Sequence, residues 1–209
     1  MRPTEILKQE HRIIELVLSC LDRLADNCEA GYPLDTEAAS QAIDFFRVFA
    51  DQCHHAKEED LLFPLMESKG FSRQQGPTGV MLHEHEEGRR RVRAMEEAVK
   101  EFSAGDLAGK ILFVEHARAY SNLLRQHIQK EDHCLFQMAD QTLSVLDQEE
   151  LGKSFGKLET ECEGHTTQEQ YLSIAYALAD RLGVTIDTSL HPTSCGCCGS
   201  GPADSPQVF

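Results

Sequence analysis

The sequence predicts an all-α protein: an antiparallel up-down four-helix bundle, two additional C-terminal helices and a flexible tail rich in Cys and Gly. Three observations predict it. Four long stretches carry apolar residues at alternating three- and four-residue spacings, the signature of one buried helix face. Short connections containing Gly, Pro and Ser separate them, and such connections bring each helix back antiparallel to the one before. No stretch alternates apolar and polar residues as convincingly as a half-buried strand would.

The first helix is expected from residue 4 to about 30, after Pro3, which suits a first turn. Its seam is Leu7, His11, Ile14, Leu18, Leu21 and Ala25, and Gly31-Tyr32-Pro33 ends it. A second helix, about 35 to 67, lines up Ile43, Phe46, Ala50, His54, Glu58, Leu61 and Leu65. Gly70, Gly76, Pro77 and Gly79 then mark a loop from Ser68 to Gly79. The third helix, about 80 to 103, turns Met81, His85, Gly88, Val92, Met95 and Val99 inward. Ser103-Ala104-Gly105-Asp106 supplies a stop and a new cap. The fourth, to about 138, carries Phe113, His116, Tyr120, Leu123, His127, Glu131, Cys134 and Met138 on one face. Amphipathic stretches from 147 to about 162 and from 167 to about 182 give the fifth and sixth helices. The chain thus divides into a bundle over 1–140, accessory helices packing on it over 141–183, and a tail over 184–209.

The charge balance narrows the partners. A formal net charge of −15 would repel nucleic-acid backbones and anionic membrane surfaces. No run of about 18 apolar residues is present to span a bilayer, and the N-terminus lacks the apolar stretch of a secretory signal. A cytoplasmic protein is expected, with homo-oligomerisation left open. Cys20, Cys28, Cys53, Cys134 and Cys162 fall singly on helical stretches, as reduced packing thiols rather than a disulfide framework.

The chemistry lies in a repeat. His54-His55-Ala56-Lys57-Glu58-Glu59-Asp60-Leu61-Leu62-Phe63 returns as His127-Ile128-Gln129-Lys130-Glu131-Asp132-His133-Cys134-Leu135-Phe136, both reading H-x-x-K-E-x-x-x-L-F. A Glu-His dipeptide precedes each copy, Glu10-His11 and Glu84-His85. A His and a Glu four residues apart share one helix face, about 6 Å apart along the axis. The seams therefore gather His11, His54, His85, His127, Glu58 and Glu131 as metal ligands inside one bundle. Six such ligands suit two metals, each with two imidazoles, with the carboxylates shared between them. Iron is the first choice for a mixed N and O set with open positions; zinc and manganese follow.

The neighbouring residues divide into two groups. Met81, Gly88, His116, Tyr120 and Cys134 are candidates for a ligand pocket or supporting contacts. An aromatic packing layer is the competing reading of His116 and Tyr120, and a small buried hydrophobe that of Cys134. Lys57 and Lys130 read as solvated or snorkelling partners of nearby acids. His55, His83 and His133 lie off the seams and read as surface residues, and Glu59, Asp60, Glu84 and Glu86 as a solvated acidic face. In the tail, Cys195, Cys197 and Cys198 pack three thiols into four residues, a candidate secondary metal or redox site that His191 could join.

On Glu10-His11, His54 to Glu59 with Leu62-Phe63-Pro64, Gly76-Pro77 with Glu84-His85, and His127 to Glu131 with Leu135-Phe136, the sequence resembles the hemerythrin family in its HHE cation-binding branch. The resemblance covers roughly residues 4 to 138. It implies a left-handed four-helix bundle around a non-heme diiron centre bridged by Glu58 and Glu131. Two departures distinguish the chain from oxygen-carrying hemerythrins. Met81 stands where those have a second third-helix His, and Glu131 follows His127 by four residues where those use an Asp at five. The set is similar instead to the four-His, two-Glu centres of iron-sulfur-repair diiron proteins, with His116 as a candidate supplementary ligand. The expectation is a diiron protein that binds, senses or reduces O2, NO or peroxide in redox or nitrosative stress, with electrons from a separate donor. The alternative is an iron store or donor acting through the cysteine tail.

Overall fold

Pro3 opens helix α1 (Pro3–Glu29), where its fixed φ and missing N–H cost nothing. The helix closes at Gly31, whose φ of 94° lets the chain turn back so that Tyr32 N–H donates to the Asn27 carbonyl. Asp35 then caps helix α2, residues 36–68, by accepting from the Ala38 N–H at 3.1 Å. Helix α3 (Pro77–Ser103) begins three residues earlier than the periodicity suggests, because Gly76-Pro77 is a helix start and not the middle of a loop. Gly105, at φ 98°, ends that turn, and helix α4 covers 108–142. Helices α5 (Val145–Cys162) and α6 (Gln168–Leu182) follow. This computed structural model describes residues 1–74, 76–162 and 168–185. Among the described residues there is no strand, and no helix is long and apolar enough to cross a membrane. Cys195, Cys197, Cys198 and His191 lie outside them.

Two of these helices are not α-helical throughout. Phe46–His55 and Lys57–Leu62 within α2, and Glu131–Leu135 within α4, are wound as π-helix. Phe63 N–H reaches the Glu58 carbonyl and Phe136 N–H the Glu131 carbonyl, five residues back rather than four. In α2, Pro64 favours this widening, since it has no N–H to offer Asp60 and its ring would crowd that carbonyl in an α-turn. Such insertions cluster at functional sites, and both carboxylates of the repeat lie within them.

The core is divided in two. One apolar cluster gathers Ile14, Leu18, Phe46, Ala50, Val92, Met95, Phe113, Tyr120 and Leu124. The other gathers Leu7, Leu62, Phe63, Met66, Met81, Leu135 and Phe136. Each of α1 to α4 crosses from one cluster to the other, and the crossing falls at His11, at His54 to Glu58, at His85 and at His127 to Glu131. The polar groups of the repeat form a layer sealed above and below by apolar side chains. Helix α6 joins the first cluster through Tyr171, Ala175, Leu178 and Ala179, and α5 joins the second through Leu151 and Phe155.

Candidate metal centre

The spacing of four within each H-x-x-K-E puts His54 beside Glu58, and His127 beside Glu131, one turn along the same helix. Packing then adds His11 from α1 and His85 from α3. All six side chains are buried. Two groups of ligand atoms result, each with its members within 4.8 Å of one another: His11, His54, Glu58 and Glu131 in the first, His55, Glu58, His85 and His127 in the second. Glu58 belongs to both. His11 Nε2 lies 3.3 Å and His127 Nε2 3.1 Å from Glu131 Oε2, and His85 Nε2 lies 3.5 Å from Glu58 Oε2.

Every imidazole is held from behind. Nδ1 of His11 meets Asp132 at 2.8 Å, that of His54 meets Glu10 at 2.8 Å, that of His85 meets Glu59 at 2.6 Å, and that of His127 meets Glu84 at 2.9 Å. A carboxylate on Nδ1 fixes the tautomer that leaves Nε2 free to face a cation. Each carboxylate is in turn paired with a base: Asp132 with Arg12, Glu10 with Lys57, Glu59 with Arg89 at 2.7 Å, and Glu84 with Lys130. The rings are also packed, Phe136 stacking on His11 and Phe63 on His85. Thus the His, Lys, Glu and Phe of the repeated pattern each contribute to this layer, and each half supplies support to the other.

Protonation follows from this crowding. Burial and the charge of Glu131 push Glu58 well above the usual carboxylate range. Burial would raise Glu131 too, but the His127 and His11 imidazoles outweigh it and hold Glu131 well below. Burial would lower His127, yet Glu131 and Glu84 raise it to about 9. Burial, with His11 beside one and His55 beside the other, drives His54 and His85 well below their ordinary value. Without a cation, the two carboxylates oppose each other's ionisation, and the neighbouring imidazoles favour the charge on Glu131.

The matched range of one protein family spans all of these residues. A family profile for the hemerythrin HHE cation-binding domain matches residues 2–139. The chain belongs to that family. Comparison with curated proteins and with solved structures finds no match.

Within this hemerythrin domain, several residues stand differently from where periodicity puts them. His55 is not on the surface: it is buried, stacks on His85 with ring centroids 3.8 Å apart, and joins the second group. The wide π-turn changes the angle between neighbouring side chains, so His54 and His55 both face inward. His116, the candidate supplementary ligand, instead meets Arg91 at 3.3 Å and is in neither group. Glu59 and Glu84 are not a solvated face but the acceptors behind His85 and His127. Lys57 is buried, because Glu10 and Glu159 both pair with it. Met81 is a core residue of the second cluster, and Cys134 is exposed, with its thiol 3.8 Å from the Met138 sulfur. Gly88 and Tyr120 line a cavity beside His55.

Proposed function

We propose that this hemerythrin HHE domain is a cytoplasmic diiron protein. Helices α1 to α4 form a four-helix bundle around two irons, and the site binds, senses or reduces O2, NO or peroxide under redox or nitrosative stress. The observation that carries this reading is a set of converging buried atoms that no well-formed hydrogen bond satisfies: His11 Nε2, His54 Nε2 and both oxygens of Glu58 and of Glu131. Orphaned polar atoms in an apolar interior are costly, and convergent imidazole nitrogens and carboxylate oxygens are what a cation would satisfy. The donor set fits iron, which prefers mixed N and O ligands.

His11, His54 and Glu131 would hold one ion, His55, His85 and His127 the other, and Glu58 would span the two. Bound iron would supply open coordination positions and a change of oxidation state. The protein's own contribution is orientation and exclusion. The Nδ1 contacts aim the imidazoles, and the apolar clusters above and below keep bulk water away. Electrons would come from a partner.

The test is the visible spectrum of anaerobically reduced, iron-loaded protein on exposure to O2 and then argon, with iron counted on the same sample. Two irons per chain and a charge-transfer band that responds to O2 are expected. A band reversed by argon marks a carrier or sensor, and irreversible conversion marks redox turnover. One iron or none, with no response to O2, NO or peroxide, would defeat the reading.

A further inference from the structure

A cavity of about 190 Å³ lies between α2, α3 and α4, against the side of the second ligand group that His55 forms. Its walls are Phe46, Val92 and Leu124, all buried, with the ring of Tyr120 at its side. Of the charged residues around it, Arg93 is exposed and the others are paired. Arg89 pairs with Asp51, Glu59 and Glu86, Arg47 pairs with Asp44 and Glu96, and Glu84 is held by His127 and Lys130. The space they enclose is therefore apolar in character.

Two features go beyond what packing requires. Gly88 sits mid-helix, where glycine costs about 1 kcal/mol relative to Ala. A Cβ there would come within 3.4 Å of Tyr120 Cε2, and any larger side chain would grow into the cavity. Tyr120 is 2 % exposed and lines the cavity, its ring set edge-on against Phe46 with centroids 4.8 Å apart. A phenol in the wall of an apolar cavity offers a donor to an acceptor held within that space.

We propose that this cavity is a binding site for a small neutral organic molecule, its apolar body about the size of a benzene ring and its single oxygen end turned toward Tyr120 and His55. Its chemical class is the organic hydroperoxide, or the alcohol left when one is reduced. A diatomic needs far less room, whereas an apolar cavity of about 150 Å³ suffices for benzene. This names a substrate class for the proposed function and rests on that reading for the chemistry at the metal, but not for the binding.

The experiment is a titration of the zinc-loaded full chain with 2-phenyl-2-propanol, followed by the methyl resonances of Val92 and Leu124. Zinc keeps the site filled and prevents turnover. Saturable shifts at both residues are expected, abolished in Gly88→Val and weakened about threefold to tenfold in Tyr120→Phe, the worth of one hydrogen bond. Tyr120→Phe keeps the ring and decides the matter if Gly88→Val does not fold. Absence of saturable shifts in the unsubstituted chain, or shifts that neither variant alters, would overturn the proposal. Xenon binding without alcohol binding would also overturn it, making the cavity a passage for gases. If the alcohol binds but the iron-loaded protein ignores O2, NO and peroxide, it is the metal reading that fails.

Discussion

His54 Nδ1 and Glu10 Oε2 meet at 2.8 Å across two helices, and neither residue touches bulk solvent. The second half repeats the arrangement with His127 and Glu84 at 2.9 Å. In both halves the Lys of H-x-x-K-E closes the chain by pairing with the same Glu. The Glu of each Glu-His dipeptide thus supports an imidazole one helix further on, and the acidic residue after each ligand Glu supports the His of the other half's dipeptide. The spacing between dipeptide and motif is what allows this exchange.

Removing the acceptors should weaken metal binding without disturbing the helices. Glu10→Gln and Glu84→Gln each keep the shape of the side chain but lose the charge that raises imidazole basicity. A loss of about 10- to 100-fold in metal affinity is expected for each, measured by competition with a chelator. Unchanged affinity in both variants would separate these carboxylates from the centre.

The two lysines should behave differently although they hold the same place in the repeat. Lys57 is 1 % exposed and bound to Glu10 and Glu159, whereas Lys130 is 42 % exposed. Lys57→Met would leave Glu10 a buried carboxylate without its cation, at a cost of about 3 kcal/mol. Lys130→Met should cost less than about 1 kcal/mol, since water can solvate what remains. Urea denaturation of both variants measures the contrast, and Glu10→Gln should recover much of the Lys57→Met loss.

The sequence made the seams legible because apolar periodicity reports directly on which face is buried. The helix ends were marked separately by Gly31 and Gly105, and the six His and Glu positions of the central layer by the repeat lying on those seams. The supporting residues were harder to see. Glu10, Glu84 and Lys57 are polar neighbours of a seam, and a polar neighbour usually faces water; only the repetition of these residues along with the histidines signalled another role. His55 could not be placed by an α-helical period at all. It turns inward in a π-wound segment, and local composition specifies that winding only weakly, through Pro64. Its counterpart in the second half is Ile128, a buried apolar residue, so the repeat itself pointed away from it.

His55 and His116 provide a direct comparison. If His55 completes the second group, His55→Ala should lower the metal content toward one ion per chain or weaken the second ion at least tenfold. His116→Ala, which removes a contact to Arg91 away from both ligand groups, should leave stoichiometry and affinity unchanged. Metal analysis after gel filtration, with a chelator titration, measures both. Equal behaviour of the two variants would remove His55 from the ligand set.

Metal uptake should release protons, and the release should shrink as pH rises. In the metal-free site burial would lower His127, but Glu131 and Glu84 outweigh it and hold the imidazole at about 9 against an ordinary 6.5. A raised value means that protonated His127 stabilises the metal-free fold fully below pH 6.5, and that this contribution is lost as pH rises through 9. Glu58, raised by burial and by Glu131, carries a second proton that a cation must displace. Raising the pH from 6.5 to 9 therefore weakens the metal-free protein and strengthens metal binding together. Calorimetric titration of zinc in buffers of different ionisation enthalpy gives the proton count at each pH. The count should fall toward pH 9, and in Glu84→Gln, where one acceptor for the His127 proton is gone, it should fall at lower pH. A count that stays constant across this range would mean that His127 enters the metal-free site already neutral, and that Glu131 and Glu84 do not hold its proton.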